Sequence, residues 1–140
     1  MVDNIVDLGI NKIKVVVGYQ KEKVIKTLGQ KERQCDIDYI YNSVYKTTNN
    51  IYSLCLAMQE TNEDIIFFNG DIIFNRTVLK NIIQSNYDNS IVISNSHPKT
   101  ADSMKVTIID DRLLDIGKNI MGKISGEAFG IYRLSSESVK

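Results

Sequence analysis

The sequence predicts an α/β fold: a mixed, mostly parallel sheet flanked by helices, with a β-rich second half. In the first half, β-branched apolar runs alternate with segments whose apolar residues have helical spacing. Such alternation produces parallel strands joined by helical crossovers. From residue 90 onward, strand-like segments follow one another with no long helix between them. A chain of 140 residues, 43% of them hydrophobic, fits one compact domain spanning 1–140.

The elements are read in order from apolar spacing. Asn4 to Leu8 is typical of a helix end capped by Gly9. Further helices are expected at 20–28, 50–59 and 76–85, and strands at 12–17, 37–41, 64–68, 90–94, 104–109, 112–116 and 128–134. The strand at 64–68 is apolar almost throughout rather than alternating, which is typical of a strand covered on both faces. We therefore expect it in the middle of the sheet.

Charge and composition exclude several classes of protein. The 17 Lys and Arg residues balance the 17 Asp and Glu residues, so we expect no broad positive surface for nucleic acid and no nucleic-acid partner. No apolar run approaches the ~20 residues of a membrane span, and the first residues lack a signal sequence. We therefore expect a cytoplasmic protein without a membrane partner. Walker, dinucleotide, zinc-hydrolase and serine-hydrolase motifs are absent.

The most informative motif is Asn69-Gly70-Asp71, which directly follows the strand at 64–68. In open α/β sheets, ligands bind at the carboxyl ends of the strands, where a carboxylate can hold a hard cation against phosphate oxygens. Asp71 is therefore the candidate metal ligand, and Gly70 lies beside it. The alternative is that Asp71 only closes a turn.

A second polar cluster lies at the start of the helix predicted at 50–59. Asn49, Asn50 and Ser53 could contact the edge of a nucleotide base or lie at the helix entrance beside a phosphate. Asn is also a common helix cap, so capping is the alternative for these positions.

A third group is spread over the β-rich half. Lys105 and Lys118 could each pair with a phosphate, and Glu127 could bind a hydroxyl or a cationic head group. Lysine and glutamate on half-exposed strands are usually solvated, which is the alternative for all three.

Taken in order along the chain, these motifs resemble the sugar-phosphate nucleotidyltransferase superfamily, and most of all its choline-phosphate cytidylyltransferase-like branch. The resemblance rests on Val16-Val17-Gly18-Tyr19, Tyr41-Asn42, Thr48-Asn49-Asn50-Ile51-Tyr52-Ser53-Leu54, Asn69-Gly70-Asp71, Met104-Lys105-Val106, Asp115-Ile116-Gly117-Lys118 and Gly126-Glu127.

The resemblance implies a Rossmann-like sheet of the glycosyltransferase-A type. It also implies that an acceptor phosphate attacks the α-phosphorus of a nucleoside triphosphate, CTP by preference, and releases pyrophosphate. Mg²⁺ is the implied cofactor, with Asp71 as its ligand. The segment 49–53 would line the base and ribose pocket, while Lys118 would face the acceptor phosphate. Glu127, with Lys105, would hold the acceptor, which could be phosphocholine, another phospho-alcohol or a sugar phosphate.

One departure from the family has a structural consequence. The family begins with a strand and a glycine-rich phosphate loop, and nothing in Met1 to Gly18 corresponds to them. We therefore expect an internal fragment with little or no transferase activity of its own. The missing strand would lie between those at 12–17 and 64–68, so its loss should either leave a gap with unpaired edges or force these two strands together.

Two other functions stay open. A glycosyltransferase of the same architecture usually carries an Asp-x-Asp pair, but Ile73 occupies the second position after Asp71. A non-catalytic nucleotide-binding or regulatory module would also fit the absent phosphate loop. The sequence leaves the base, the acceptor and the oligomeric state open.

Overall fold

The computed structural model describes residues 1–29, 34–96 and 98–139. The helices are α1 (Val2–Val6), α2 (Lys21–Gly29), α3 (Asn50–Met58), α4 (Arg76–Ile83) and α5 (Ser136–Val139). The strands are β1 (Lys12–Val17), β2 (Asp36–Tyr41), β3 (Ile65–Phe68), β4 (Ser90–Ser94), β5 (Lys105–Ile109), β6 (Arg112–Gly117) and β7 (Gly126–Leu134). The predicted elements are present, and most of their bounds differ from the prediction by one or two residues.

The strands form two separate sheets. β1 and β2 pair in parallel, from Lys12 opposite Asp36 to Val17 opposite Tyr41. The second sheet has the order β3-β7-β5-β6, and β4 also pairs with β7. Its ladders are all antiparallel. The mixed α/β prediction is therefore confirmed.

Two details of the predicted sheet are wrong. Among the ladders of the described residues, β1–β2 is the only parallel one, so the sheet is not mostly parallel. The strands after β4 are joined by connections without long helices, and such connections favour antiparallel neighbours. β3 pairs only with β7 and ends the strand order instead of lying in its middle. Its continuous apolar sequence is nevertheless partly buried at every position.

The hydrophobic core lies against the five-stranded sheet. Ile5 of α1, Leu79 and Ile82 of α4, and Ile131 of β7 form its buried centre. Leu79 and Ile131 have no exposed surface. Asn75 caps the N-terminus of helix α4, because its side chain accepts a hydrogen bond from Thr77 N at 2.9 Å. The core thus fixes β3 and β7, the strands from which the polar residues at the sheet end project.

An open cleft of about 1820 Å³ separates the two sheets. Both β1 and β3 line it, and no ladder joins these two strands within the described chain. Of the two consequences expected for these strands, the structure therefore has the gap with unpaired edges.

Candidate functional site

The cleft contains the polar end of β3. Asn69, Gly70 and Asp71 continue from this strand and line the cleft. Asn69 N donates to the carbonyl oxygen of Gly130 on β7 at 2.9 Å, which extends the β3–β7 ladder by one residue. The carboxylate of Asp71 is exposed. The chain thus carries an accessible carboxylate to the carboxyl end of a core-anchored strand, as its motif predicts.

Gly130 sets the position of Asn69. Its φ is +83°, a left-handed conformation that favours glycine. A Cβ at this position would lie 2.7 Å from Nδ2 of Asn69, so only glycine lets that side chain pack against β7. The Oδ1 atom of Asn69 accepts a hydrogen bond from Nδ2 of Asn50 at 3.4 Å. Asn69 therefore links the end of β3 to the start of α3.

The start of α3 forms the facing wall, and its predicted residues have different positions. Asn50 and Ser53 line the cleft. Asn49 is the N-cap of α3, where its side chain accepts from Tyr52 N at 3.3 Å. It is absent from the cleft wall formed by the described residues. For Asn49 the capping alternative therefore accounts for the geometry.

Asn42 fixes the loop that leads into α3. Its side chain is almost fully buried, and its Nδ2 donates to Thr48 Oγ1 at 3.1 Å and to Ser53 Oγ at 3.3 Å. Its Oδ1 accepts from Val44 N at 3.1 Å. A buried, satisfied amide of this kind holds the helix entrance in one conformation. Asn42 therefore supports the cleft wall without lining it.

The predicted acceptor-binding residues form a separate cluster on the five-stranded sheet. Lys105 of β5 lies opposite Glu127 of β7. Lys105 Nζ donates to the carbonyl oxygen of Lys118. Lys118 Nζ lies 3.2 Å from a carboxylate oxygen of Asp102. The three predicted residues are thus brought together, but among the residues described none of them lines the cleft that holds Asp71.

The aromatic residues near the site are packed in the sheet. Phe129 packs against the core, and Tyr132 stacks on Phe67 at 4.4 Å between ring centroids. Partial burial raises the pKa of the Tyr132 phenol above its usual value. The Tyr132–Phe67 stack therefore joins β3 to β7, and Phe129 belongs to the core packing.

The oxygen atoms at the end of β3 suit a hard cation whose remaining ligands are water and substrate phosphates. Asp71 supplies one carboxylate, and the amides of Asn50 and Asn69 line the same cleft. The described residues contain no group of three His, Cys, Asp or Glu side chains able to enclose a metal. Mg²⁺ often binds through one or two carboxylates together with water and substrate phosphates. Asp71 thus fits Mg²⁺ as a single protein carboxylate.

Asn69 is a cleft residue that the sequence prediction did not single out. It belongs to the motif that identified Asp71, yet its role depends on Gly130, which lies 61 positions later in the sequence. The sequence signal for Asn69 is an Asn-Gly pair directly after a predicted strand. Its packing partner, Gly130, becomes visible only from the β3–β7 register.

The chain is similar in sequence to one protein family and to characterised enzymes. The sequence profile of a family described as a domain of unknown function (DUF6564) matches residues 1–113. The chain belongs to this family. It is also 31% identical over 75 residues to the CMP-5'-(3-aminopropyl)phosphonate synthase of Streptomyces rubellomurinus, an alignment that covers 54% of this chain and 12% of that protein.

Two further comparisons concern nucleotidyltransferases. The chain is 36% identical over 73 residues to the UTP–glucose-1-phosphate uridylyltransferase AglF of Haloferax volcanii, covering 52% of this chain and 29% of AglF. The inositol-1-phosphate CTP transferase from T. maritima superposes with a TM-score of 0.73 and 19% identity, covering 96% of this chain and 55% of that one. The predicted likeness to sugar-phosphate nucleotidyltransferases is therefore confirmed at the level of fold and relatives.

The DUF6564 chain spans about an eighth and less than a third of the two curated relatives, and about half of the solved transferase. None of its described helices is long and apolar enough to cross a membrane.

Proposed function

We propose that this chain is the nucleotide-binding part of a Mg²⁺-dependent nucleotidyltransferase, with CTP as the favoured nucleotide. The observation that carries the proposal is the meeting of Asp71, at the carboxyl end of β3, with Asn50 and Ser53, at the start of α3, in one open cleft. The relatives named for CMP, UTP and CTP chemistry support a pyrimidine nucleotide. The choline-phosphate branch is the finer proposal within this class.

Each cleft residue would have a distinct task. The carboxylate of Asp71 would hold Mg²⁺, which when bound neutralises charge on the phosphate oxygens. The amide of Asn50 can offer a donor or an acceptor to a base edge or ribose hydroxyl. Ser53 Oγ already accepts from Asn42, so its own hydrogen is available to donate to the nucleotide. Gly70 has open space where a Cβ would be, which allows close approach of a ligand to the backbone.

The acceptor would bind beside the cluster on β5 and β7. Lys118 is proposed to face the acceptor phosphate, with Lys105 and Glu127 holding the rest of the molecule. Lys118 is paired with Asp102, whose side chain is 94% exposed. Exposed ion pairs are worth only ~0–1 kcal/mol, so a phosphate could displace Asp102 at small cost. A phosphomonoester such as phosphocholine or a sugar phosphate is the proposed acceptor.

The isolated chain is proposed to be inactive in transfer. The lysines of the β5–β7 cluster and the carboxylate of Asp71 belong to separate groups. The edges of β1 and β3 that line the cleft pair with no other strand of the described chain. These features also favour a second candidate, a nucleotide-binding module without catalysis, which would bind nucleotide in the same cleft.

Calorimetric titration tests the nucleotide site. CTP, UTP, ATP and GTP are titrated with and without Mg²⁺ into the chain, Asp71→Asn and the control Asp102→Asn. Asp102→Asn also removes one exposed carboxylate, but outside the cleft. We expect Mg²⁺-dependent CTP binding that weakens about tenfold or more in Asp71→Asn, since a contact to a charged group contributes ~1.5–3 kcal/mol. Equal affinities in all three proteins would contradict the role of Asp71.

Pyrophosphate release tests the proposed inactivity of the isolated chain. The chain is incubated with CTP, Mg²⁺ and either phosphocholine or glucose 1-phosphate. We expect binding without release. Steady Mg²⁺-dependent release that requires an acceptor would overturn the proposed inactivity and identify the acceptor class directly.

A further inference from the structure

Asn42 is buried behind the cleft and contacts a residue of its wall. Its side chain is 3% exposed, and its backbone N–H donates to the carbonyl oxygen of Val17, the last residue of β1, at 2.9 Å. Its amide nitrogen donates to Ser53 Oγ at 3.3 Å, and Ser53 lines the cleft. Asn42 therefore joins the two-stranded sheet directly to a side chain at the candidate nucleotide site.

The backbone of Val44 fixes the direction of the hydrogen bonds around Asn42. The Val44 N–H can only donate, so the atom that faces it at 3.1 Å is Oδ1 of Asn42. The Val44 carbonyl oxygen can only accept, so Thr48 Oγ1, which lies 3.1 Å away, directs its hydrogen there. Thr48 Oγ1 therefore offers a lone pair to Nδ2 of Asn42, at 3.1 Å. An amide flipped by a half-turn would place its NH₂ group against the Val44 N–H.

This network determines how Ser53 can contact a ligand. Nδ2 of Asn42 has two hydrogens, one bonded to Thr48 and the other to Ser53. The Ser53 oxygen is therefore an acceptor toward Asn42, and its own hydrogen bonds to no other side chain or backbone group of the described chain. A donor from the ligand would leave that hydrogen unpaired, which is costly in a closed site. An atom with a lone pair is thus the best partner for Ser53.

We propose that Asn42 is a positioning residue that makes Ser53 a hydrogen-bond donor toward an acceptor atom of the nucleotide. The acceptor is a base carbonyl oxygen, an unprotonated ring nitrogen or the ribose 2′ oxygen. Asn50 precedes Ser53 by one helical turn on α3 and lines the same cleft, so both side chains can contact one ligand. This inference rests on the proposed nucleotide function and adds the group that sets its hydrogen-bond pattern.

NMR on the whole chain without nucleotide tests the directions of the hydrogen bonds. Ser53→Ala removes one acceptor of the Asn42 amide, and Thr48→Val removes the other at nearly constant volume. We expect each variant to shift the signal of a different Nδ2 hydrogen of Asn42. A shift of the same hydrogen in both variants, or of neither, would contradict the network.

A double-mutant cycle measures whether Asn42 acts through Ser53. Asn42→Asp retains an acceptor for Val44 N but draws the Ser53 hydrogen away from the cleft, because a carboxylate only accepts. Calorimetry with CTP and Mg²⁺ should show about three- to tenfold weaker binding for Ser53→Ala, the effect of one lost hydrogen bond. Asn42→Asp should weaken binding about tenfold or more when Ser53 is present, and less than about twofold in the Ser53→Ala background.

Two controls separate this effect from charge repulsion. Repulsion between the added carboxylate and the nucleotide phosphates would persist in the Ser53→Ala background, whereas an effect carried by the Ser53 hydroxyl would not. Asn89→Asp adds the same charge at a residue that accepts from Ser135 N and is absent from the cleft wall described here. This variant should bind CTP as the unmodified chain does.

CTP analogues identify the acceptor atom and decide the question if Asn42→Asp does not fold. 3-Deaza-CTP lacks the ring-nitrogen lone pair, 2-thio-CTP has sulfur in place of the base carbonyl oxygen, and 2′-deoxy-CTP lacks the ribose 2′ oxygen. Ser53→Ala should weaken binding of two analogues as much as it weakens CTP, and should leave binding of the third unchanged. Equal weakening of all three would overturn the proposal.

The nucleotide site and the role of Asn42 can fail separately. A chain that binds no nucleotide would overturn both. CTP binding that needs Mg²⁺ and is weakened by Asp71→Asn would support the nucleotide site. If Asn42→Asp and Ser53→Ala then show additive losses, the role of Asn42 is overturned while the nucleotide site stands.

Discussion

The two sheets differ in how firmly they are attached to the core. The five-stranded sheet contributes Ile131 and Val106, both without exposed surface, and packs on Leu79 of α4. In the two-stranded sheet, Val17 is the one buried apolar residue of the described strands. Its flanking helices α2 and α3 have no buried residue. Isolated two-stranded sheets are marginally stable, so the two-stranded region is less firmly anchored than the five-stranded one.

This difference has a functional consequence. Asp71 and Asn69 project from the anchored region, whereas Asn50 and Ser53 belong to the weakly anchored one. The weak hydrogen bond of 3.4 Å between Asn50 and Asn69 is a direct link between them. A ligand bound by both walls would therefore stabilise the two-stranded region by mass action.

Leucine truncation in each region has the largest expected effect. Leu79→Ala should lower the free energy of unfolding by about 2–5 kcal/mol, because it leaves a cavity in the core. Leu54→Ala on α3 should cost only about 1 kcal/mol, since that side chain is partly exposed in the cleft. Urea unfolding followed by circular dichroism measures both. Equal losses would show that the region around α3 is packed as firmly as the core.

Local sequence patterns predicted the elements better than their pairing. The apolar spacing around Val78 and Leu79 and the β-branched run of β1 determine helix and strand directly. The register that brings Gly130 beside Asn69 depends on packing between distant segments. The same limit applies to the site, because the motif identified Asp71 at a strand end but could not separate the cleft residues from the cluster around Lys118.

Alanine at Gly130 is expected to have the next largest effect. Its backbone has φ of +83°, and the added Cβ would lie 2.7 Å from Asn69 Nδ2. We expect a loss of about 1–3 kcal/mol in the free energy of unfolding. Gly122→Ala is the matched control, because its φ is +109° but no atom lies within 4 Å of the added Cβ. Only Gly130→Ala should also shift the NMR signals of the Asn69 side chain. Similar behaviour of both variants would mean that Asn69 can move away freely.

Removing the two helix caps gives the smallest expected effect and separates local from global stability. Asn75→Ala and Asn49→Ala each delete one side-chain bond, to Thr77 N at 2.9 Å and to Tyr52 N at 3.3 Å. Each should destabilise its helix by about 1 kcal/mol. Because α4 packs in the core, Asn75→Ala should lower global stability in urea, whereas Asn49→Ala should mainly speed amide exchange within α3. If Asn49→Ala lowers global stability equally, α3 unfolds together with the core, and the two sheets form one cooperative unit despite the cleft between them.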